Sequence, residues 1–288
     1  FFNAGSGTLT VERCTFTSNT ATGGGGAIYR NAGSVTVIDS TFTSNSSAIG
    51  GGAMFLSNAT GTCTIRSSRF TTNSATAVTG RGGAIRNVHN GALIDFCEFN
   101  GNTAAQHGGA YSGDQSATLF CNLFYENTAT NDGGGAYIAA ATTIQSCTFA
   151  DNQASRGGGV YLELALTTLT DTILWGNSAT TSGAALFVAN VASTQNSVLN
   201  HCIFLSSEIS DAGNRLAAGS GNVNSNPDFV NATADNYRVT GSSPAVDAGS
   251  ADADTLSSGG ISLDTRFATN VGADTGIVDI GYHYATAG

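Results

Sequence analysis

A phenylalanine followed three residues later by an asparagine recurs through this chain, at Phe16/Asn19, Phe42/Asn45, Phe70/Asn73, Phe99/Asn102, Phe124/Asn127 and Phe149/Asn152. A degenerate copy stands at Leu174/Asn177 and a broken one at Phe204/Ser207. The spacings between motif positions are 26, 28, 29, 25, 25, 25 and 30 residues. Between successive copies lies a glycine signal, at Gly25, Gly51, Gly82, Gly108, Gly134, Gly158 and, decayed, Gly183. Self-similarity at such a period means one supersecondary unit stacked on copies of itself, and it restricts the fold more than any other feature. Helical repeats share the period, but Gly-Gly pairs, abundant Thr and Val, and the lack of a 3.6-residue rhythm oppose them.

Aligning the copies on the phenylalanine sorts the residues into columns. Five positions before it stand Val11, Val37, Ile65, Ile94, Leu119, Ile144, Leu169 and Leu199, aliphatic throughout and therefore inward. Seven before it the side chains are small or apolar, on the same face at the strand period of two. Two before it is a column of small side chains: Cys14, Ser40, Ser68, Cys97, Asn122, Cys147, Thr172 and Cys202. The step from minus five to minus two breaks the period and implies a corner, which Glu12-Arg13 or Thr170-Asp171 suit as exposed residues and Phe120-Cys121 does not. After the glycines, a third strand points Ile28, Met54, Ile85, Tyr111, Tyr137, Tyr161 and Leu186 inward. Three short strands per coil predict an all-β, right-handed parallel β-helix of about eight coils. Residues 1–207 form the repeats, and 208–288 form a C-terminal cap or closing segment packed on the helix. The motif asparagines are expected to hydrogen-bond from coil to coil as a ladder, and the glycines to supply φ > 0 or close backbone approach.

The paired motifs, as in Gly25–Ile28 with Phe42–Asn45, resemble the passenger repeats of chlamydial polymorphic outer membrane proteins. That resemblance implies a β-helical surface adhesin or autotransporter passenger, and it covers about residues 5 to 207. The C-terminal succession Asn226-Pro227-Asp228-Phe229-Val230, Ser243-Pro244-Ala245-Val246-Asp247 and Val278-Asp279-Ile280-Gly281-Tyr282 is similar to the closing segment of secreted bacterial β-helix proteins. His283 departs from that pattern, which has acidic or neutral residues there.

Only 10% of residues are charged, the net charge is -10, and all basic residues are arginine. Nucleic acid, which demands a basic footprint, is excluded as a partner, and an anionic membrane surface is disfavoured. No apolar run reaches the roughly 20 residues of a transmembrane helix. The chain starts at Phe1-Phe2 without methionine or leader, as a mature or excised fragment would. Four of the six cysteines share the minus-two column and never occupy adjacent coils, so they should not pair with one another. Cys121 is one residue out of register and within reach of Cys97 or Cys147; otherwise buried free thiols are expected.

The candidate catalytic residues are Glu126 and Asp151, which precede the motif asparagine in successive coils and so stand roughly 5 Å apart. Carboxylates paired at that spacing suit glycoside hydrolysis or a calcium-assisted lyase. Asp132 and Arg156, at matching positions before their glycines, would pair as opposite charges, as would Arg69 and Glu98 beside their phenylalanines. Asp247, Asp252 and Asp254 form a second acidic group that could hold a structural Ca²⁺. Two readings follow. One is a non-catalytic extracellular or cell-surface structural or adhesive protein, surface-attached or self-assembling head-to-tail through Phe1-Phe2 into a filament, whose partners are copies of itself or cell-surface glycans and proteins. The other is a carbohydrate-active enzyme, a polysaccharide lyase or glycoside hydrolase, or a glycan-binding module without catalysis.

Overall fold

The computed structural model describes residues 2–3, 7–57, 60–164, 166–189, 196–217, 219–266, 268–269 and 272–285. The chain is a parallel β-helix. Four parallel sheets run along it, and a strand of each coil pairs in register with the equivalent strand of the next. The first sheet has nine strands, from Phe2–Asn3 to Ile209–Asp211, and the second nine, from Thr8–Glu12 to Leu216–Ala217. The third and fourth have seven each, ending at Ile173–Trp175 and Ser178–Ser182. A coil therefore has four strands rather than the three expected, because a short strand such as Thr128–Ala129 follows each motif asparagine. Two residues are too few to show a period in sequence.

The inward columns hold the core. Val37, Ile65, Ile94, Leu119, Ile144 and Leu169 are fully enclosed, as are Phe42, Phe70, Phe99, Phe124 and Phe149. From Phe16 to Phe149 the rings stack face to face at 4.5–4.9 Å between centroids, within 8° of parallel. Free aromatic pairs prefer offset or edge-on contact. Here the strand spacing of about 4.8 Å imposes the stack.

Each asparagine within the ladder, from Asn45 to Asn152, is satisfied on every side-chain atom. Asn102 Oδ1 accepts from the backbone N–H of Asn73 (2.9 Å) and from its Nδ2 (3.0 Å), while Asn102 Nδ2 donates to Phe70 O and to Asn127 Oδ1, both 2.9 Å. The same pattern runs from Asn19 to Asn177. The minus-two column is a second ladder: the Ser40 N–H donates to Ser68 Oγ, and that of Cys97 to Asn122 Oδ1. Each ladder follows a residue in the left-handed region, as at Ser44, Thr72, Glu126 and Asp151 before the asparagines and at Ser67, Phe96, Cys121 and Asp171 at the other corner. The third corner needs glycine. A Cβ on Gly109 would lie 2.1 Å from the carbonyl oxygen of Gly134 one coil on.

One column shifts register. Tyr111 pairs with Ala136, and Ala136 with Val160, so the inward residues of the first sheet are Ile28, Met54, Ile85, Tyr111, Ala136, Val160 and Leu186. Tyr137 and Tyr161, expected inside, lie on the outer face with Phe187 and stack on each other at 5.4 and 5.1 Å. The reason is a third glycine: the left-handed residue is Gly108 in one coil but Gly133 and Gly157 in the next two. Each stands three residues before the inward one, so the extra glycine (Gly135 or Gly159) moves the motif tyrosine one place along an unchanged strand, and a shift of one turns Tyr137 and Tyr161 to the other face.

Residues 219–224 continue the stack, Val223 bridging Ile203 and Asn222 Oδ1 accepting from the Cys202 N–H. From Asn226 the chain turns back along the flank, over the corner between the second and third sheets. Ser250 bonds Asp171, Tyr282 N–H donates to Thr148 Oγ1, His283 N–H to Cys121 Sγ, and Arg66 reaches Ser258. Phe96, Phe120, Cys121, Leu123 and Ala150 form a second core with Tyr237, Ala253, Leu263, Val278 and Tyr282 of this segment. That corner, expected exposed, is therefore covered, which explains the ill-fitting Phe120-Cys121. Phe1 lies outside the described residues, and of Phe2 only its backbone pairing with Tyr29 is described.

All six cysteines are free, Cys14 exposed and the others buried. Native protein is expected to take up one equivalent of maleimide, at Cys14, and five more only on unfolding; rapid labelling of Cys121 in the native state would contradict the covered corner. Replacing Asn102 by leucine strands its four hydrogen-bond partners inside the core, at about 1–3 kcal/mol per unsatisfied group. A loss of roughly 3 kcal/mol or more in urea unfolding is expected, against about 0.5 or less for the exposed neighbour change Thr103→Val.

Candidate functional site

The acids singled out by register sit where the flank segment meets the solenoid. Tyr125 and Ala150 pair across adjacent coils, which stacks their successors Glu126 and Asp151 at the same left-handed corner. Glu126 Oε2 accepts from Asn100 Nδ2 at 3.1 Å. Asp151 Oδ2 accepts from the hydroxyl of Tyr237 at 2.9 Å. Tyr237 comes from the C-terminal segment, is buried, and packs on Tyr125 at 5.2 Å. Partial burial raises the Asp151 pKa against the pull of the Tyr237 bond, with Asp235 adding repulsion. Burial and Asp151 together push the Tyr237 hydroxyl up, so it remains a donor at neutral pH.

Beside Asp151 the surface opens into a cleft of about 240 Å³. Trp175 and Gly176 form its solenoid wall, and Asn226, Asp228 and Phe229 the opposite one. Trp175, the single tryptophan, is half-buried against the cluster that contains Ile173, Ile203 and Val239. Sequence reasoning reached Asp151 through its register but missed Trp175, Asp228 and Tyr237. The latter two lie in a segment without a repeat, and no periodicity places it against a particular coil.

A second polar cluster lies at the glycine corner on the outer face of the first sheet. Arg156 grips Asp132 at 2.8 and 3.0 Å, the pair expected from sequence. His107 Nδ1 stands 3.0 Å from Asp132 Oδ2, angled off a straight hydrogen bond, with its ring stacked on Tyr137. Burial opposes ionisation of Asp132, but His107 and Arg156 outweigh it and hold the carboxyl below its usual range. Arg156 also lies over Tyr161 and Phe187. Arg69 and Glu98 pair at 2.9 Å on the third sheet. These contacts are ordinary cross-coil pairs, and each is worth less than about 1 kcal/mol where exposed.

Asp247, Asp252 and Asp254 are not brought together. Asp252 precedes the short 3-10 turn Ala253–Thr255 and Asp254 lies within it, whereas Asp247 donates its N–H to Asp279 Oδ1 at 2.9 Å. Among the described residues no group of three His, Cys, Asp or Glu is placed to hold a metal ion. Asp247 instead shares a depression of about 300 Å³ with Asp274 and Asp279. Asp274 Oδ2 is 2.7 Å from Nε2 of the enclosed His283, whose Nδ1 faces Gly281 O at 3.0 Å. Both neighbours are acceptors, so the ring of His283 is fixed between Asp274 and its own backbone turn. The departure of His283 from the closing-segment pattern thus has a partner nine residues away.

The model of the Chlamydia polymorphic membrane protein repeat matches residues 13–29. The chain is a β-helix repeat protein resembling that family. The matched span runs from the left-handed corner at Arg13 through Phe16, Asn19 and Gly25 to Tyr29, and the coils that follow repeat its structural positions. Neither a curated protein nor a solved structure matches the chain. No described helix is long and apolar enough to cross a membrane.

Burial pushes the Asp279 carboxyl up to about 6, with Asp274 and Asp247 adding to the shift and the Asp247 N–H and His283 opposing it. An unfolded aspartate titrates near 3.9, so the folded form binds its proton more tightly. The stability this contributes is complete below about pH 4 and disappears as the pH rises through about 6. Asp279→Asn keeps the Oδ1 acceptor and removes the charge. Its melting temperature, followed by circular dichroism, is expected to exceed that of the parent at pH 7, with the gap closing towards pH 4.

Proposed function

We propose that this chain is the displayed β-helical part of a cell-surface protein of autotransporter type, and that it acts by attachment to other surfaces without catalysis. The observation that carries this reading is the repeat: the unit resembling the chlamydial proteins is reiterated in phase along the solenoid. A rod whose coils share one phenylalanine stack and one asparagine ladder is stiff, and its sparsely charged Thr, Ser and Asn exterior suits projection and contact. The position of the candidate acids supports the non-catalytic side. Asp151 is held by Tyr237 and Glu126 by Asn100, and no arginine occupies their column to serve as the base of a lyase. The adjacency of Glu126 and Asp151 favours the second reading, a carbohydrate-active enzyme.

Beads coated with the full chain are expected to stay on a cultured epithelial layer several-fold more than albumin-coated beads after washing; equal retention would overturn the adhesive role. On a polysaccharide panel with and without Ca²⁺, no reducing ends or unsaturated products are expected. Turnover that disappears in Glu126→Gln and Asp151→Asn would establish the enzyme instead.

A further inference from the structure

The cleft beside Trp175 has the chemistry of a receptor for one neutral sugar ring. Its two walls come from different parts of the chain, the corner of the solenoid and the returning C-terminal segment. At about 240 Å³ it lies just under the roughly 300–1,000 Å³ of drug-sized sites, which limits it to a small ligand. Trp175 presents a large apolar surface, the partner that the C–H face of a pyranose requires. Around it stand acceptors with capacity left. Asp151 spends Oδ2 on Tyr237, and Asp228 spends Oδ2 on Thr240. The Oδ1 atoms of both accept from no described residue. Asn226 uses its Oδ1 on the Asp228 N–H, at 2.9 Å, which leaves its amide N–H groups as donors.

Charge selects among ligands. Two carboxylates and no basic side chain line the cleft, in a chain of net charge -10. A uronate or sulfated sugar would be repelled, whereas hydroxyl groups donating to carboxylates form charge-assisted hydrogen bonds. The cleft is also shaped to keep Asp151 open. Gly176 has φ +67°, and a Cβ there would fall 2.3 Å from Asp151 Oδ1, on the oxygen left to a ligand. Asp151 thus has a use that does not involve Glu126.

We infer that this cleft binds a neutral, hydroxyl-rich glycan residue, stacked on Trp175 and held by Asp151, Asp228 and Asn226. The inference rests on the adhesive reading and names its ligand class. One ring per chain binds weakly, and firm attachment then comes from many copies on a surface.

Trp175 is the only tryptophan, so its emission reports on this cleft alone. The full chain is titrated with neutral hexose and N-acetylhexosamine oligosaccharides and, in parallel, with uronate oligosaccharides. A saturable emission change with at least one neutral sugar and none with uronates is expected. Asp228→Asn should weaken that binding by about tenfold or more while preserving the melting temperature. Trp175→Ala, read on a printed array of the same sugars, should abolish retention; since it could also loosen the flank, Gly176→Ala serves as a second variant with the indole intact. No response to any neutral sugar, a response to uronates alone, or undiminished binding in Asp228→Asn overturns the assignment. If Asp228→Asn beads still hold to epithelial cells as the parent does, the cleft assignment fails and the adhesive reading stands. If parent beads do not hold at all, the adhesive reading fails whatever the cleft binds.

Discussion

Everything in this molecule depends on backbone hydrogen bonding between coils at the spacing of parallel strands. That spacing sets the distance at which phenylalanine rings stack, and it matches the reach of an asparagine side chain to its equivalent one coil away. An amide has two donors and two acceptor lone pairs, and the ladder uses all of them. A buried polar column would otherwise be costly. Complete satisfaction makes it instead a device that specifies register, because a slip of one residue would break several bonds in every coil at once. The minus-two column repeats the principle more loosely, with Ser, Thr, Asn and Cys in turn as acceptors.

The solenoid does not explain the C-terminal segment, and the segment explains the irregularities of the solenoid. Phe96 and Cys121 hold left-handed corners on which bulky residues are unusual. Both belong to the second core, beneath Arg266 and His283. Buried Asp95 and Asp171 likewise find partners in Ser258 and Ser250. The flank therefore contains most of the side chains that depart from the repeat, and the cleft beside Trp175 forms at the edge of that contact.

Adhesion and stability draw on separate residues. Beyond the first coil, the ladder asparagines and stacked phenylalanines are enclosed and offer nothing to a partner. The outer face of the first sheet is different, since Tyr137, Tyr161 and Phe187 stack there with Arg81 and Arg156 over them. These rings are themselves nearly covered, so that face is a reinforced wall. Trp175 remains as the half-buried aromatic beside unsatisfied acceptors.

Periodicity alone determined the fold class, the inward columns around each phenylalanine, the asparagine ladder and the Asp132–Arg156 pair, because in a stack each residue's neighbours are its own equivalents one period away. Where a third glycine, Gly135 or Gly159, stands before the inward residue, matching the glycine motif by its last residue placed Tyr137 and Tyr161 on the wrong face. An added glycine moves the motif's aromatic along the strand without moving the strand. The path of residues 226–284, the partner of Asp151, the pairing of His283 with Asp274 and the walls of the cleft were decided only by tertiary structure. They rest on contacts between residues separated by nine to more than a hundred positions, chosen by shape and burial, and no repeat in the sequence points from one to the other.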